Sequence, residues 1–270
     1  MSDADKLFAG SIPDIYDDYL VPLIFETYAA DLAGRVAACN PQDVLETAAG
    51  SGVVTRALAP LLSQEARFTV TDLNQPMLDR AARQQPPDNR IAWQQADALD
   101  LPFGDETFDV VCCQFGVMFF PDKVAGYRAA RRTLRDGGTF IFNVWDRIEE
   151  NEFADSVTQT ASACFPQDPP VFLARTPHGY HDTGLIETQL KTAGFRNIEI
   201  HTIPAESKAA SSRIPAIAYC QGTPLRNELE ARDASQLEHV TNLAAADIEK
   251  RYGSGPVSAK IQAHVVSATR

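Results

Sequence analysis

Glu46, Asp72 and Asp97 stand 26 and 25 residues apart, each closing a short run expected to be a strand: VLE (44–46), RFTVTD (67–72) and IAWQQAD (91–97). That spacing is close to one strand-helix-strand repeat, and a parallel α/β sheet gathers the carboxyl ends of its strands along one edge. Glu46 opens a turn of small residues, ETAAGSG (46–52). There Gly50 and Gly52 let a ligand approach the backbone, and the helix start that follows offers unpaired N–H donors. Asp72 stands 20 residues beyond Gly52, where an acidic side chain can accept both ribose hydroxyls. Asp97 could receive an exocyclic amine, and Met77 could lie against an adenine face or belong to a helix core. A dinucleotide site needs only the first two acids. The turn lacks GxGxxG and the Lys-Ser/Thr of a phosphate loop. Three carboxylates suit a ligand with hydroxyls, an amine and positive charge.

The elements that must hold these residues alternate. A helix is expected from about Pro13 to Cys39, broken near Val21–Pro22. After VLE come a helix at 52–63, strand 67–72, a helix at 75–84, strand 91–97, strand FDVVCCQF (108–115), a helix at 121–135 ended by Asp136-Gly137-Gly138, and strand TFIFNVW (139–145). The apolar run 108–115 suits a strand covered on both faces. Beyond Trp145 the alternation stops. Residues 149–164 read as a helix, and the Pro-, His- and aromatic-rich stretch FPQDPPVFLARTPHGYHD follows. A helix at 184–193 and strand 196–203 resume the sheet, 213–250 read as two or three helices, and 260–269 is a last strand able to pair antiparallel with 196–203. This predicts an α/β, doubly wound, mostly parallel seven-stranded sheet with an antiparallel edge strand and a helical cap. The expected layout is one domain with embellishments: 1–40 N-terminal cap segment, 41–146 cofactor-binding core, 147–185 cap insertion, 186–205 core, 206–256 second helical cap insertion, 257–270 last strand.

Composition excludes several classes. With 24 Lys and Arg against 36 Asp and Glu, the net charge of the 270 residues is −12. That is the wrong sign for a phosphate backbone or anionic lipid. The arginine-dense run 128–135 reads as a helix end. Five cysteines, no CxxC and no signal-like start point to reduced thiols in the cytoplasm. No His/Cys spacing suits a metal, and no apolar run reaches the roughly 18 residues of a membrane helix.

Five segments in order, VLETAAGSGVVTRAL (44–58), VTDLNQPML (70–78), QADALDLPF (95–103), FDVVCCQFGVMFFPD (108–122) and RTLRDGGTFIFNVWD (132–146), resemble the class I S-adenosylmethionine-dependent methyltransferases. The likeness is to the small-molecule group related to the ubiquinone/menaquinone C-methyltransferases, and it covers about 100 residues. The resemblance implies a Rossmann-like methyltransferase fold with S-adenosyl-L-methionine as cofactor. Glu46 with the backbone of Ala48, Ala49, Gly50 and Gly52 would hold the methionine part. Asp72 would take the ribose, with Leu73 and Met77 beside the adenine. Asp97 and the Ala98 amide would read the adenine edge, and a backbone carbonyl of Gln114 or Phe115 would meet the amine. Ala48 replaces the first glycine of the family's acidic-x-Gly-x-Gly-x-Gly turn, a change expected to be tolerated if φ there is negative.

Methyl transfer needs alignment and exclusion of water, and a base when the acceptor is O–H or N–H. His178 and His181, flanking Tyr180, are the candidate bases; loop histidines that are solvated or paired with carboxylates are the alternative. His201 and His264 are expected on polar strand faces. Tyr16, Tyr19 and Tyr28 could close over the cofactor or simply pack. Phe165, Pro169, Pro170, Phe172 and Tyr180 are expected to shape an apolar acceptor pocket. The partner is a small-molecule acceptor, with no nucleic acid and no membrane insertion; a homodimer stays open. Two further readings remain: a cofactor-binding or non-methylating protein on the same fold, and a nicotinamide-dependent oxidoreductase.

Overall fold

The structure, a computed structural model, describes residues 12–270. The first eleven residues of the segment expected to act as an N-terminal cap lie outside the described residues. Helix α1 (Ile12–Ile15) runs into a π-helix (Tyr16–Phe25) and then α2 (Glu26–Ala38). The break expected near Pro22 is instead a change of winding, since Pro22 lies inside the π-helix. Proline has no N–H to donate, and wider winding lets the helix pass the ring.

The core alternates as expected: β1 (Asp43–Glu46), α3 (Val53–Leu58), β2 (Arg67–Asp72), α4 (Gln75–Gln84), β3 (Ile91–Gln95), β4 (Phe108–Gln114), α5 (Lys123–Thr133) and β5 (Leu134–Trp145). There follow α6 (Glu152–Cys164), α7 (Phe172–Arg175), α8 (Thr183–Ala193), β6 (Arg196–Ala209), α9 (Arg213–Gln221), α10 (Leu225–Asp233), α11 (Leu237–Tyr252) and β7 (Val257–Thr269). The seven strands lie in the order β3-β2-β1-β4-β5-β7-β6. The sheet is mixed and mostly parallel, with an antiparallel strand at the β7–β6 edge.

Two boundaries move for physical reasons. The helix before β5 ends at Thr133, and Asp136-Gly137-Gly138 falls inside β5, not at a helix end. Leu134 already pairs with Phe108, and the register shifts between Phe108 and Val110. Gly137 takes φ 77 in that irregularity, and a Cβ on Gly138 would stand 3.0 Å from the Asp109 carbonyl. The bulge turns Asp109 so that one carboxylate oxygen accepts the amides of Gln42 and Asp43 at 2.8 and 2.9 Å. Strand β3 stops at Gln95, so Asp97 lies beyond it, in a turn.

The chain divides into two compact units. In the unit made of Glu26–Val144, His181–Ile203 and His264–Arg270, side-chain parity sends β5 residues to opposite layers. Ile141 joins the cluster of Leu32, Val36, Leu58 and Val110 under α2 and α3. Phe140 and Phe142 meet Tyr127 of α5 at 5.9 and 5.5 Å between ring centroids. These rings are fully buried, each contributing about 1.5–3 kcal/mol. The arginines of 128–135 act as pins within this unit: Arg131 donates to the Gly194 carbonyl at 3.0 Å, and Arg132 to those of Leu101 and Phe103 at 2.6 Å. His264, expected on a polar face, is buried and paired with the Thr202 hydroxyl at 2.9 Å, because β7 lies inside the sheet.

The other unit comprises the described residues up to Phe25 with Trp145–Tyr180 and Pro204–Ala263. Its helices α6 and α11 meet through Phe153 and Tyr252, 5.2 Å apart edge to face. From α10, Glu228 accepts the amides of Val171 and Phe172 at 2.9 and 3.1 Å, and Arg232 donates to the Asp168 carbonyl at 2.6 Å. One turn of α10 thereby holds the proline-rich stretch. Of the residues expected to shape an acceptor pocket, Pro169 is exposed, Phe165 half-buried, and Pro170, Phe172 and Tyr180 are buried.

The amino-terminal ends of β1, β2 and β5 are tied by charge. Asp43 accepts both Arg67 nitrogens at 2.5 and 2.7 Å and Arg135 at 2.8 Å. The Arg67 hydrogen bond chiefly holds its carboxyl below the usual range. A lowered folded value means stability present above the ordinary carboxylate pKa and lost as pH falls through the folded one. Replacing Asp43→Asn is expected to cost about 1 kcal/mol at neutral pH, the exposed Arg67 being screened, with the deficit shrinking below about pH 4 and gone only once pH falls below the lowered folded value. Denaturant midpoints of both proteins at pH 7 and in acid measure this; an equal deficit at both would exclude the charge argument.

Candidate cofactor site

Strand register explains why Glu46 and Asp72, distant in sequence, come together. Glu46 pairs with Val70, two residues short of Asp72, and Asp72 pairs with Gln95, two residues short of Asp97. A two-residue step keeps side-chain parity and moves about 6.6 Å along the strand. Glu46 and Asp72 therefore share one face at the carboxyl ends of β1 and β2, and Asp97 follows two residues past the end of β3.

Their environments differ. Glu46 is 1% exposed and its Oε2 accepts the Thr55 hydroxyl at 2.6 Å. Burial pushes its carboxyl up to about 8, with the Thr55 hydrogen bond and the charge of Arg56 opposing and Asp72 adding. A raised acid penalises folding progressively as pH climbs from the ordinary carboxylate range to that value. Asp72 is 6% exposed; its Oδ2 accepts the Gly50 amide at 2.8 Å and its Oδ1 the Asn74 amide at 2.7 Å. Burial raises it against those amides. Asp97 is exposed, with Oδ1 accepting the Leu99 amide at 2.9 Å.

The turn between Glu46 and α3 is built by hydrogen bonds to both neighbouring strands. Thr47 donates its amide to the Cys112 carbonyl at 2.9 Å, and Ala49 to that of Thr71 at 3.0 Å. Gly50 and Gly52 take φ 57 and 81. A Cβ on Gly52 would stand 2.8 Å from the Ala81 Cβ, so glycine is needed for α3 and α4 to approach. Ala48 has φ 53, which corrects the expectation of a negative φ. The hydrogen bonds on either side hold alanine in a conformation costing roughly 1–2 kcal/mol. Opposite it, Phe115 also takes a positive φ, 49, and a Cβ on Gly116 would come 2.5 Å from the Ala48 Cβ. Two left-handed residues thus meet where β1 and β4 diverge. The buried Ser51 hydroxyl finds no partner among the described residues.

Around this frame, Met77 is buried and its Cε would touch a Cβ on Gly50 at 3.8 Å, whereas Leu73 is 45% exposed. Ala98 and Gln114 are half-buried. Asn143 is missing from the sequence reading. It is fully buried, its Oδ1 accepts the Phe115 amide at 2.9 Å, and its Nδ2 reaches the Gln114 Oε1 at 3.4 Å. A lone amide inside FIFNVW was the available signal. Thr55 was missed as well, because nothing in a helix sequence reveals a bond back to a strand end. Tyr28 is buried, donates to the Ile203 carbonyl at 2.9 Å and meets Phe115 edge on at 5.5 Å, a packing role.

The two candidate bases fall in different units. His178, expected in a loop, is 5% exposed, with Nδ1 2.9 Å from the Asp146 carbonyl and its ring 5.9 Å from Trp145. A carbonyl only accepts, so Nδ1 carries a proton at this contact. Asp146 is itself fixed, accepting the Gln262 amide nitrogen at 2.6 Å. His181 is half-buried, one residue before Asp182, which caps α8. Among the described residues no cluster of three His, Cys, Asp or Glu suits a metal, and no helix is long and apolar enough to cross a membrane.

Comparison with known proteins agrees with this geometry. A methyltransferase domain family matches residues 45–142. Demethylmenaquinone methyltransferase of Clavibacter sepedonicus is 25% identical over 185 residues, 63% of this chain and 72% of that protein. The ubiquinone/menaquinone biosynthesis C-methyltransferase UbiE of Cellvibrio japonicus is 29% identical over 174 residues, 59% of this chain and 69% of that protein. Among solved structures, the YcgJ protein of Bacillus subtilis aligns with TM-score 0.58 at 18% identity, covering 90% of this chain and 98% of that one. A phosphoethanolamine N-methyltransferase of Haemonchus contortus, solved with S-adenosylhomocysteine, aligns with TM-score 0.51 at 15% identity, covering 97% and 60%. At these identities the structural likeness speaks for the fold alone. The family match and the relatives support a class I S-adenosylmethionine-dependent methyltransferase. Within that class, the chain is related to the ubiquinone/menaquinone biosynthesis C-methyltransferases.

Substituting Gly52→Ala is expected to destabilise the protein by at least about 1–3 kcal/mol, from overpacking and positive φ. Ala48→Gly, which relieves strain against a glycine entropy cost of roughly 0.5–1 kcal/mol, should be neutral to stabilising by up to about 1 kcal/mol. Denaturant unfolding of the two variants, scored against the parent, checks the contrast.

Proposed function

We propose that this chain methylates a small organic acceptor that loses a proton as it reacts, using S-adenosylmethionine held at the carboxyl ends of β1, β2 and β3. The observation that carries the reading is the pair of buried carboxylates, Glu46 and Asp72, beside a turn whose buried Ser51 hydroxyl finds no partner among the described residues. Buried acids at this cost call for a ligand bringing hydrogen-bond donors and positive charge, and that donor set matches the cofactor. In this reading Glu46 and the turn Ala48, Ala49, Gly50, Gly52 hold the methionine part. Asp72 accepts the ribose hydroxyls, Leu73 and Met77 flank the adenine, Asp97 and Ala98 read its edge, and Gln114 and Phe115 meet the amine. The Asn143 bonds to Phe115 fix that last segment.

When bound, the cofactor supplies a methyl carbon already activated by its sulfonium. The protein's contribution is alignment, worth on the order of 7–11 kcal/mol in ideal cases, together with handling of the acceptor's proton. His178 and His181 are the two candidate groups for that proton, to be separated by substitution. The relatives named for quinone biosynthesis make hydroxylated aromatic rings the first acceptors to try, alongside amines and carboxylic acids. The reading places the enzyme in the cytoplasm, its five thiols free.

Titration calorimetry should give binding of S-adenosylmethionine and none of NADH; the reverse would make the chain an oxidoreductase. Asp72→Asn should weaken the sulfonium ligand roughly 10–100-fold through loss of a charged acceptor, and an unchanged Kd would remove the ribose assignment. For turnover, S-adenosylhomocysteine release is scored over the acceptor panel; tight binding with persistent silence would favour a non-methylating protein. His178→Asn should lower kcat about 100-fold or more while leaving the cofactor Kd alone, and a kcat equal to the parent's would eliminate this base.

A further inference from the structure

Glu46 is a fully buried carboxyl group in the core unit. It ends β1, a strand buried along its whole length. Among the described residues its carboxyl group accepts a hydrogen bond from the uncharged Thr55 hydroxyl. The groups facing it are one cation and several acids. From α3 comes Arg56, whose Nη1 donates to the Ser51 carbonyl at 2.6 Å. From β2 comes Asp72, itself buried and raised by burial. From β4 come the thiols of Cys112 and Cys113, both raised by burial and further by Glu46, and Cys113 to about 12. Among the described residues no ion pair of Glu46 offsets its desolvation, so in the absence of ligand the neutral acid is the cheaper form.

We propose that Glu46 is protonated in the ligand-free protein and releases its proton when the cationic end of the cofactor arrives, so that cofactor binding is coupled to pH. The inference rests on the cofactor reading above. The carboxyl O–H bond breaks, the proton passes to solvent, and the carboxylate left behind pairs with the incoming positive charge. Thr55 holds Oε2 in both states, so the switch needs no rearrangement of the turn. Free ligand therefore competes with a proton for Glu46 at neutral pH, and the advantage of higher pH levels off once Glu46 is ionised in the free protein.

The test is calorimetric titration with S-adenosylmethionine at pH 7 in buffers of different ionisation enthalpy. The dependence of the heat on buffer counts the protons released. The expected result is a release approaching one proton per ligand, with affinity rising about tenfold per pH unit from pH 6 towards 8 and flattening above. The ligand's own amine titrates alike in any variant, so Glu46→Gln isolates Glu46: its release should fall by close to one proton. Should that variant bind too weakly, Thr55→Val serves, because loss of the hydroxyl raises the free acid further and should move the flattening to higher pH. Infrared spectra of the ligand-free protein give a readout independent of the ligand: a protonated carboxyl band present in the parent and absent in Glu46→Gln. Binding with no buffer dependence, or with the same proton count in parent and Glu46→Gln, overturns the coupling and leaves the cofactor reading standing. No binding at any pH overturns both.

Discussion

The placement of the candidate site's acids depends on the parallel register of β1, β2 and β3. Adjacent parallel strands have evenly spaced, slanted hydrogen bonds, and a side chain's facing is decided by parity alone. Because Glu46 pairs with Val70 and Asp72 with Gln95, both two-residue offsets preserve parity. A slip of one residue in the β1–β2 pairing would turn one of the two buried carboxylates out of the layer of α2 and α3 and into the opposite one. The apolar residues that enforce the register, Val44, Phe68, Val70 and Val110, thus determine where the acids stand.

That placement runs against stability. Two carboxylates are buried side by side, and two residues beside them, Ala48 and Phe115, hold left-handed backbone that glycine would adopt without strain. Such costs persist only when the surroundings over-determine them. Here the surroundings are identifiable: amides of Thr47 and Ala49 anchored to β4 and β2, and the Asn143 side chain on the Phe115 amide. The opposite ends of the strands carry the compensating order, where Asp43 and Asp109 gather Arg67, Arg135 and two backbone amides.

Legibility in the sequence followed the range of the forces involved. The alternation from Val44 to Trp145 was readable because each element is encoded by local periodicity, and the acids were readable because they close those elements. The bulge at Asp109 was not, since it answers to a pairing between Phe108 and Leu134. Nor was the winding of the helix through Pro22, where a local rule predicts a break and the surrounding packing keeps the helix going. Ala48 was read with the wrong sign of φ for the same reason: its conformation is imposed by hydrogen bonds to two strands distant in sequence.

The amino-acid sequence by itself determined the order of strands and helices, the glycine turn and the three strand-end acids, because these follow from propensity, periodicity and spacing within a few dozen residues. Only the tertiary structure decided which acids are buried, that Thr55 and Asn143 belong to the site, and which nitrogen of His178 keeps its proton. The reason is that protonation, strain and hydrogen-bond satisfaction depend on what lies within a few ångströms in space. For Glu46 the nearest groups come from α3, β2 and β4, brought together by the fold.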